Sequence, residues 1–173
     1  MGLDMYLDRK VYILSDDRNK LTISGTKEKI NLDKVKYIIE EAGYWRKANQ
    51  IHNWFVQNVQ DGDDDCGDYY VSPDKMKELL QLCKEVKAAS KLVKGKVQNG
   101  TRWENGKSEP IMEDGEYIED PSVAQELLPT GSGFFFGSTD YDQWYLQDIE
   151  DTIKILEEAL EDEEGDYQYH SSW

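Results

Sequence analysis

Between Tyr44 and His52 the chain concentrates side chains that can do chemistry. Arg46 and Lys47 supply charged donors for a phosphate or carboxylate. Asn49 supplies an acceptor and two donors, and Tyr44 a ring on which a base can stack. His52 is one of only two histidines, and imidazole is the side chain that titrates nearest neutral pH. A second run, Gly131-Ser132-Gly133, is small enough to bring backbone amides close to a ligand. It is not a Walker loop, because no Gly-Lys-Ser/Thr follows, and it is not a dinucleotide fingerprint. Tyr44, Arg46, Lys47, Asn49, His52, Gly131, Ser132 and Gly133 thus define one candidate pocket, suited to a nucleotide. His52 with Asp140 or Asp142 would make an acid–base pair. No spacing selects that pairing, so no catalytic residue is assigned. The plainer reading of His52 is a buried ring with a hydrogen-bond partner.

A different chemistry is electrostatic. The net charge is −16, and it is unevenly spread. Residues 1–100 hold 17 basic and 16 acidic side chains, a net of +1; residues 101–173 hold 3 and 20, a net of −17. Such a block repels nucleic acid and membrane surfaces and attracts basic protein surfaces. Glu150, Asp151, Glu157, Glu158, Glu161 and Asp162 face water on a predicted helix, and the carboxylates piled at its C-terminus oppose its dipole. Carboxylates four residues apart on a helix stand ~6 Å apart, near the spacing of phosphates along a strand. With Trp54 as an outward indole, these six define a candidate partner-binding face. Metal binding is not expected. Read from Asp61, the acidic loop has Cys66 where a calcium loop needs Gly and Ser72 where it needs Glu. No cofactor motif is present either.

The elements that must position these groups follow from periodicity. Leu3 to Leu14 reads as a strand, with a second around Leu21–Leu32 and a third, or the start of a helix, over Val35–Ile39. A helix is expected from Gly43 onward. Its wheel puts Tyr44, Trp45, Ala48, Ile51, Phe55, Val56 and Val59 on one face, with Gln50, Asn53 and Trp54 on the wet side. Ser72 and Pro73 start a helix running to about Lys94, with Cys83 in its core. Residues 95–120 are rich in turn formers and read as an irregular, hairpin-rich insert. A short helix fits Pro121–Leu128. Phe134-Phe135-Phe136 fits a short buried strand. The last helix is placed at Asp140–Asp162, capped by Ser138 or Thr139. The fold class is α+β: a small, mostly antiparallel sheet packed against about three main helices. One domain is expected over 1–164, with 165–173 as an acidic and aromatic tail. The two cysteines do not form a disulfide framework, and no leader or membrane span is legible. The expected setting is the cytoplasm.

Several segments carry a resemblance. They are Met1-Gly2-Leu3-Asp4-Met5-Tyr6-Leu7, Gly43-Tyr44-Trp45-Arg46-Lys47-Ala48-Asn49 and His52-Asn53-Trp54-Phe55-Val56. Cys66-Gly67-Asp68-Tyr69-Tyr70-Val71-Ser72 and Leu127 through Tyr141 add to them. Together they cover well under half the chain. The chain resembles a family of small, acidic, mostly uncharacterised proteins of phages and prophages, chiefly in Gram-positive hosts. The resemblance implies a phage origin and no particular chemistry. By analogy it suggests action on a host defence, as anti-CRISPR proteins do.

Two functions follow as expectations. One is a stoichiometric inhibitor whose acidic face occupies the basic channel of a nucleic-acid-handling effector, such as a Cas9-type nuclease. It would bind no nucleic acid or membrane itself. The alternative is a binder that sequesters a nucleotide signal in the pocket around Tyr44, Asn49 and His52.

Overall fold

Alternation writes the first strand. In this computed structural model Leu3, Met5 and Leu7 are fully buried, and β1 spans Asp4–Tyr12. Every residue is described except Met1, Asn105, Phe134, Phe135 and Glu163, and the side chains of Asn19 and Trp103. The expected aromatic strand at 134–136 therefore falls largely outside the described residues.

β2 (Tyr37–Arg46) pairs antiparallel with β1, from Tyr12↔Tyr37 to Asp4↔Arg46, with a bulge near Leu7. The strand thus runs through Gly43, where a helix was expected to start. Gly43 is a point of close approach rather than a break. An added Cβ would stand 2.3 Å from the Ile155 side chain, so only glycine lets the last helix lie this close to β2. Tyr44 and Trp45 alternate across the sheet instead of sharing a helix face: Trp45 is buried and Tyr44 exposed. Strand pairing with β1 overrides the helical pattern here.

The chain then turns through Lys47, whose φ is +63°, and α1 covers only Asn49–Asn58. This short helix is buried nearly all round, Gln50 included. Trp54, expected outward, is 6% exposed and packs edge-on to Phe55. Helices apolar or enclosed on every side belong to the interior, and α1 is one.

β3 (Tyr69–Tyr70) precedes α2 (Pro73–Ala89). Ser72 caps α2 by accepting from the Lys75 amide, as its sequence requires. Cys83 is fully buried in α2, and burial pushes its thiol pKa up to about 12. The helix stops before Val93, which belongs to the next strand. β4 (Leu92–Glu104) and β5 (Lys107–Ile118) form one long hairpin, bulged between Gln98 and Thr101, in place of several small ones. α3 covers Ser122–Leu127 and α4 covers Gln143–Ala159. Tyr145, Ile149, Thr152, Ile153 and Leu156 form the buried face of α4. Its cap is Asp142, not Ser138 or Thr139. One Asp142 oxygen accepts from the amides of Trp144 and Tyr145 at 2.9 and 3.0 Å.

The largest departure from expectation is residues 165–173. Asp166–Ser172 is β6, inside a four-stranded antiparallel sheet ordered β2-β1-β6-β3. Its Tyr167 and Tyr169 are buried, and Tyr169 stacks on Phe55 at 3.9 Å. Residues 21–31 form no strand, and Ile23 and Ile30 are exposed. The fold is α+β, with α1, α2 and α4 supplying core residues against one face of the sheet.

His52 ties α1 to β6. Its Nδ1 lies 2.8 Å from the Tyr169 hydroxyl and its Nε2 3.0 Å from Asp64. A carboxylate only accepts, so Nε2 carries the proton and Tyr169 donates to Nδ1. Tyr169→Phe leaves a buried imidazole nitrogen unpaired and is expected to cost ~1–3 kcal/mol. Urea denaturation measures this. Removal of 166–173 takes out an inner strand and is expected to abolish cooperative unfolding.

Candidate functional site: a polar cleft between α1 and α4

Three features of the chain meet at the end of β2. Lys47 is a lysine in the left-handed region, a costly conformation for a side chain with a Cβ. Such strain often gathers at functional sites. Its amide bonds to the Leu3 carbonyl at 2.8 Å, and its own carbonyl accepts from the Asn49 amide at 2.8 Å. Gly137, itself at φ +95°, packs against Lys47, where a Cβ would meet it at 3.1 Å.

Asn49, 2% exposed, then clips down the long loop after α3. Its Oδ1 accepts from the Gly131 amide at 2.9 Å. Its Nδ2 donates to the carbonyls of Phe136 and Ser138 at 3.0 and 2.8 Å. The hairpin closes the other side. The Ile118 amide bonds to the Tyr141 carbonyl, and the Glu116 amide donates to Gln143 Oε1. These bonds hold Asp142 between β5 and α4.

The result is a cleft of about 510 Å³. Gln50, Asp142, Tyr145 and Asp148 lie along its α1–α4 side. Arg46 and Lys47 stand at its lip, Thr130, Gly137, Ser138 and Asp140 form one wall, and Gln98–Thr101 of the hairpin bulge form another. Trp144 lines it with an indole that is 41% exposed. The size suits a small molecule.

Electrostatics divide the cleft. Arg46 and Lys47 are both exposed, Arg46 Nε standing 3.8 Å from Asp4 Oδ1, and α1 follows an N-cap, Ala48, that makes no side-chain cap, with no acidic residue in its first turn. The positive end of that helix is therefore uncompensated at the lip. Deeper, Asp142 is 2% exposed, and its second oxygen has no hydrogen-bond partner among the described residues. Burial raises its pKa against the opposing amides of Tyr145 and Trp144. Asp148 accepts from Gln50 Nε2 at 3.1 Å, and burial pushes its pKa up to about 7. A buried carboxylate without its full set of donors is costly. The cleft thus has donors at its lip and under-used acceptors inside.

The expected pocket is only partly assembled. Arg46 and Lys47 line the cleft, and Asn49 shapes it from behind. Gly131 binds Asn49 through its amide, while Ser132 and Gly133 are exposed in the loop beyond. Tyr44 is on the opposite face of the sheet, where its hydroxyl donates to Asp4 and its ring meets Tyr6. His52 is engaged by Tyr169 and Asp64, so it pairs with neither Asp140 nor Asp142. Gln50, Asp148 and Trp144 were not singled out by sequence. Asp148 sits in the same predicted helix as the surface acids, with no signal to separate it from them.

The acidic face is also changed. Glu150 pairs with Lys87 at 3.0 Å, Glu157 with Lys84 at 2.7 Å and Asp151 with Lys154 at 3.1 Å. Asp162 accepts from Arg9 Nε at 2.9 Å. Each such exposed pair is worth ~0–1 kcal/mol, yet together they neutralise most of the expected array. Glu158 and Glu161 have no basic partner among the described residues. In the 60–68 loop, Asp64 accepts from Trp173 as well as facing His52, and Asp65 accepts from Gly67 and Tyr69. No helix among the described residues is long and apolar enough to cross a membrane.

Compared with protein-family models, curated proteins and solved structures, the chain matches none.

Asp148 gives a testable sign. Its folded pKa is raised, so the folded state holds a proton that the unfolded state has released between about pH 4 and about pH 7. Stability conferred by that proton is lost as pH rises through this window. Asp148→Asn keeps an acceptor for Gln50 and removes the half-buried charge. It is expected to be ~1–3 kcal/mol more stable than the natural protein at pH 8 and near-equal at pH 4. Thermal melts at the two pH values check this.

Proposed function

We propose that this protein binds a small anionic nucleotide in the α1–α4 cleft and acts by sequestering it. One observation carries the reading: acceptors short of donors lie inside the cleft, while the cations Arg46 and Lys47 stand at its lip. A nucleotide has the reverse arrangement, with N–H and O–H donors on base and ribose and negative charge on its phosphate. Arg46 and Lys47 suit the phosphate, and Trp144 supplies a ring for the base. Asn49 fixes the wall without needing to touch the ligand. In the phage setting suggested by the sequence, the ligand is a nucleotide signal of host defence, and the protein works in the cytoplasm of the infected bacterial host. No reaction step is assigned.

A second reading rests on a separate observation, the exposed and unpaired Glu158 and Glu161 in a region of net charge −17. In that reading an acidic surface occupies the basic channel of a nucleic-acid-handling effector. Four of the six expected carboxylates are ion-paired and Trp54 is internal, so the available face is much smaller than a DNA-like ladder. Glu158→Lys with Glu161→Lys would then abolish low-salt capture of a Cas9-type nuclease and leave nucleotide binding intact.

For the cleft, native mass spectrometry of the purified protein with added nucleoside monophosphates is the direct measurement. A one-to-one nucleotide adduct is expected, and Arg46→Glu with Lys47→Glu is expected to weaken it about a hundredfold, since two charge-assisted contacts are reversed. An unchanged adduct in that variant contradicts the assignment of the lip.

A further inference from the structure

We infer that the cleft selects guanine among the bases, with the Asp148 carboxylate, steadied by Gln50, accepting the paired donors of the base edge. This rests on the cleft being the nucleotide site proposed above, and it adds which base the site reads.

Gln50 is 2% exposed and donates to Asp148 Oδ2 at 3.1 Å. The Asp148 backbone carbonyl accepts from Thr152 Oγ1 at 2.7 Å, and Thr152 Oγ1 in turn accepts from the Trp45 indole at 2.9 Å. The carboxylate is therefore held by Gln50, on a helix that Thr152 and Trp45 anchor to the sheet, and it still has acceptor capacity. When ionised, as at pH 8, the Asp148 carboxylate is acceptor-only, so it is matched by two adjacent N–H groups.

Guanine alone among the common bases presents them, as N1–H beside the 2-amino group. Adenine offers one amino donor next to an acceptor nitrogen, and cytosine does the same. Uracil offers a single N–H flanked by two carbonyls. Each of these sets a lone pair against the carboxylate, which in a poorly solvated cleft is repulsive. A buried carboxylate, Asp142, with one oxygen unpartnered among the described residues, adds another acceptor that ribose hydroxyls can satisfy. Charge decreases inward from Arg46 and Lys47, which orients the phosphate outward and the base inward.

The test is calorimetric titration of the full chain at pH 8 with GMP, IMP, AMP and CMP. GMP is expected to bind most tightly. IMP, which keeps N1–H and lacks the 2-amino group, is expected to be about tenfold weaker, and AMP and CMP about a hundredfold weaker. Asp148→Asn is expected to lose about tenfold to a hundredfold in GMP affinity. Circular dichroism at the same pH confirms its fold. AMP or CMP binding as tightly as GMP overturns guanine selection and leaves the nucleotide site standing. No binding by any of the four overturns both. GMP affinity unchanged in folded Asp148→Asn overturns the role of Asp148.

Discussion

A single buried amide, that of Asn49, holds the cleft in shape. Its three bonds reach Gly131, Phe136 and Ser138, residues more than eighty positions away in sequence. They press a long loop onto the start of α1, at the turn where Lys47 takes its left-handed conformation. Without them, the loop carbonyls would need water and the wall of the cleft would have no fixed position. Removing one partner of such a buried set costs the desolvation of all the groups left behind. Asn49 is thus a positioning residue, and its polarity is explained by the loop rather than by a ligand.

The charge of the protein divides into two populations with different consequences. Most surface carboxylates of α4 lean on lysines of α2 or on Lys154, and Arg9 meets Asp162 from β1. These contacts are solvated and weakly stabilising, and they reduce the field that a basic partner would meet. Asp142 and Asp148 are different. Burial disfavours their charged forms, so each holds an unmet demand for donors or a proton. That demand, beside the exposed Arg46 and Lys47, is the feature on which the proposed nucleotide site rests.

Much of the fold was legible where one periodicity held without competition. β1, the Ser72–Pro73 start of α2, the buried Cys83 and the inward face of α4 were all written in local pattern. The failures came where long-range pairing decided the outcome. Tyr44 and Trp45 fit a helix equally well until β1 is seen to pair with that segment. Asp166–Ser172 alternates as a strand should, but its acidic and terminal context hid a role that depends on β1 and β3. In the site, Arg46, Lys47 and Asn49 were visible as residue types, although Asn49 proved to serve the wall. Asp148 and Gln50 were not visible, because burial of one carboxylate among many is a tertiary fact. His52 was legible as a buried histidine, and its partners Tyr169 and Asp64 were not.

The most direct measurement of the central claim is a proton–nitrogen correlation spectrum of the labelled protein, titrated with GMP. Shifts are expected to be confined to the cleft: the Gln50 side-chain amide, the Trp144 indole, and the backbone amides of Lys47, Gly137 and Ser138. The signals of Tyr44, Glu158 and Glu161 should stay in place. Shifts at those three residues with a silent cleft would contradict the account, and so would a spectrum that does not change at all.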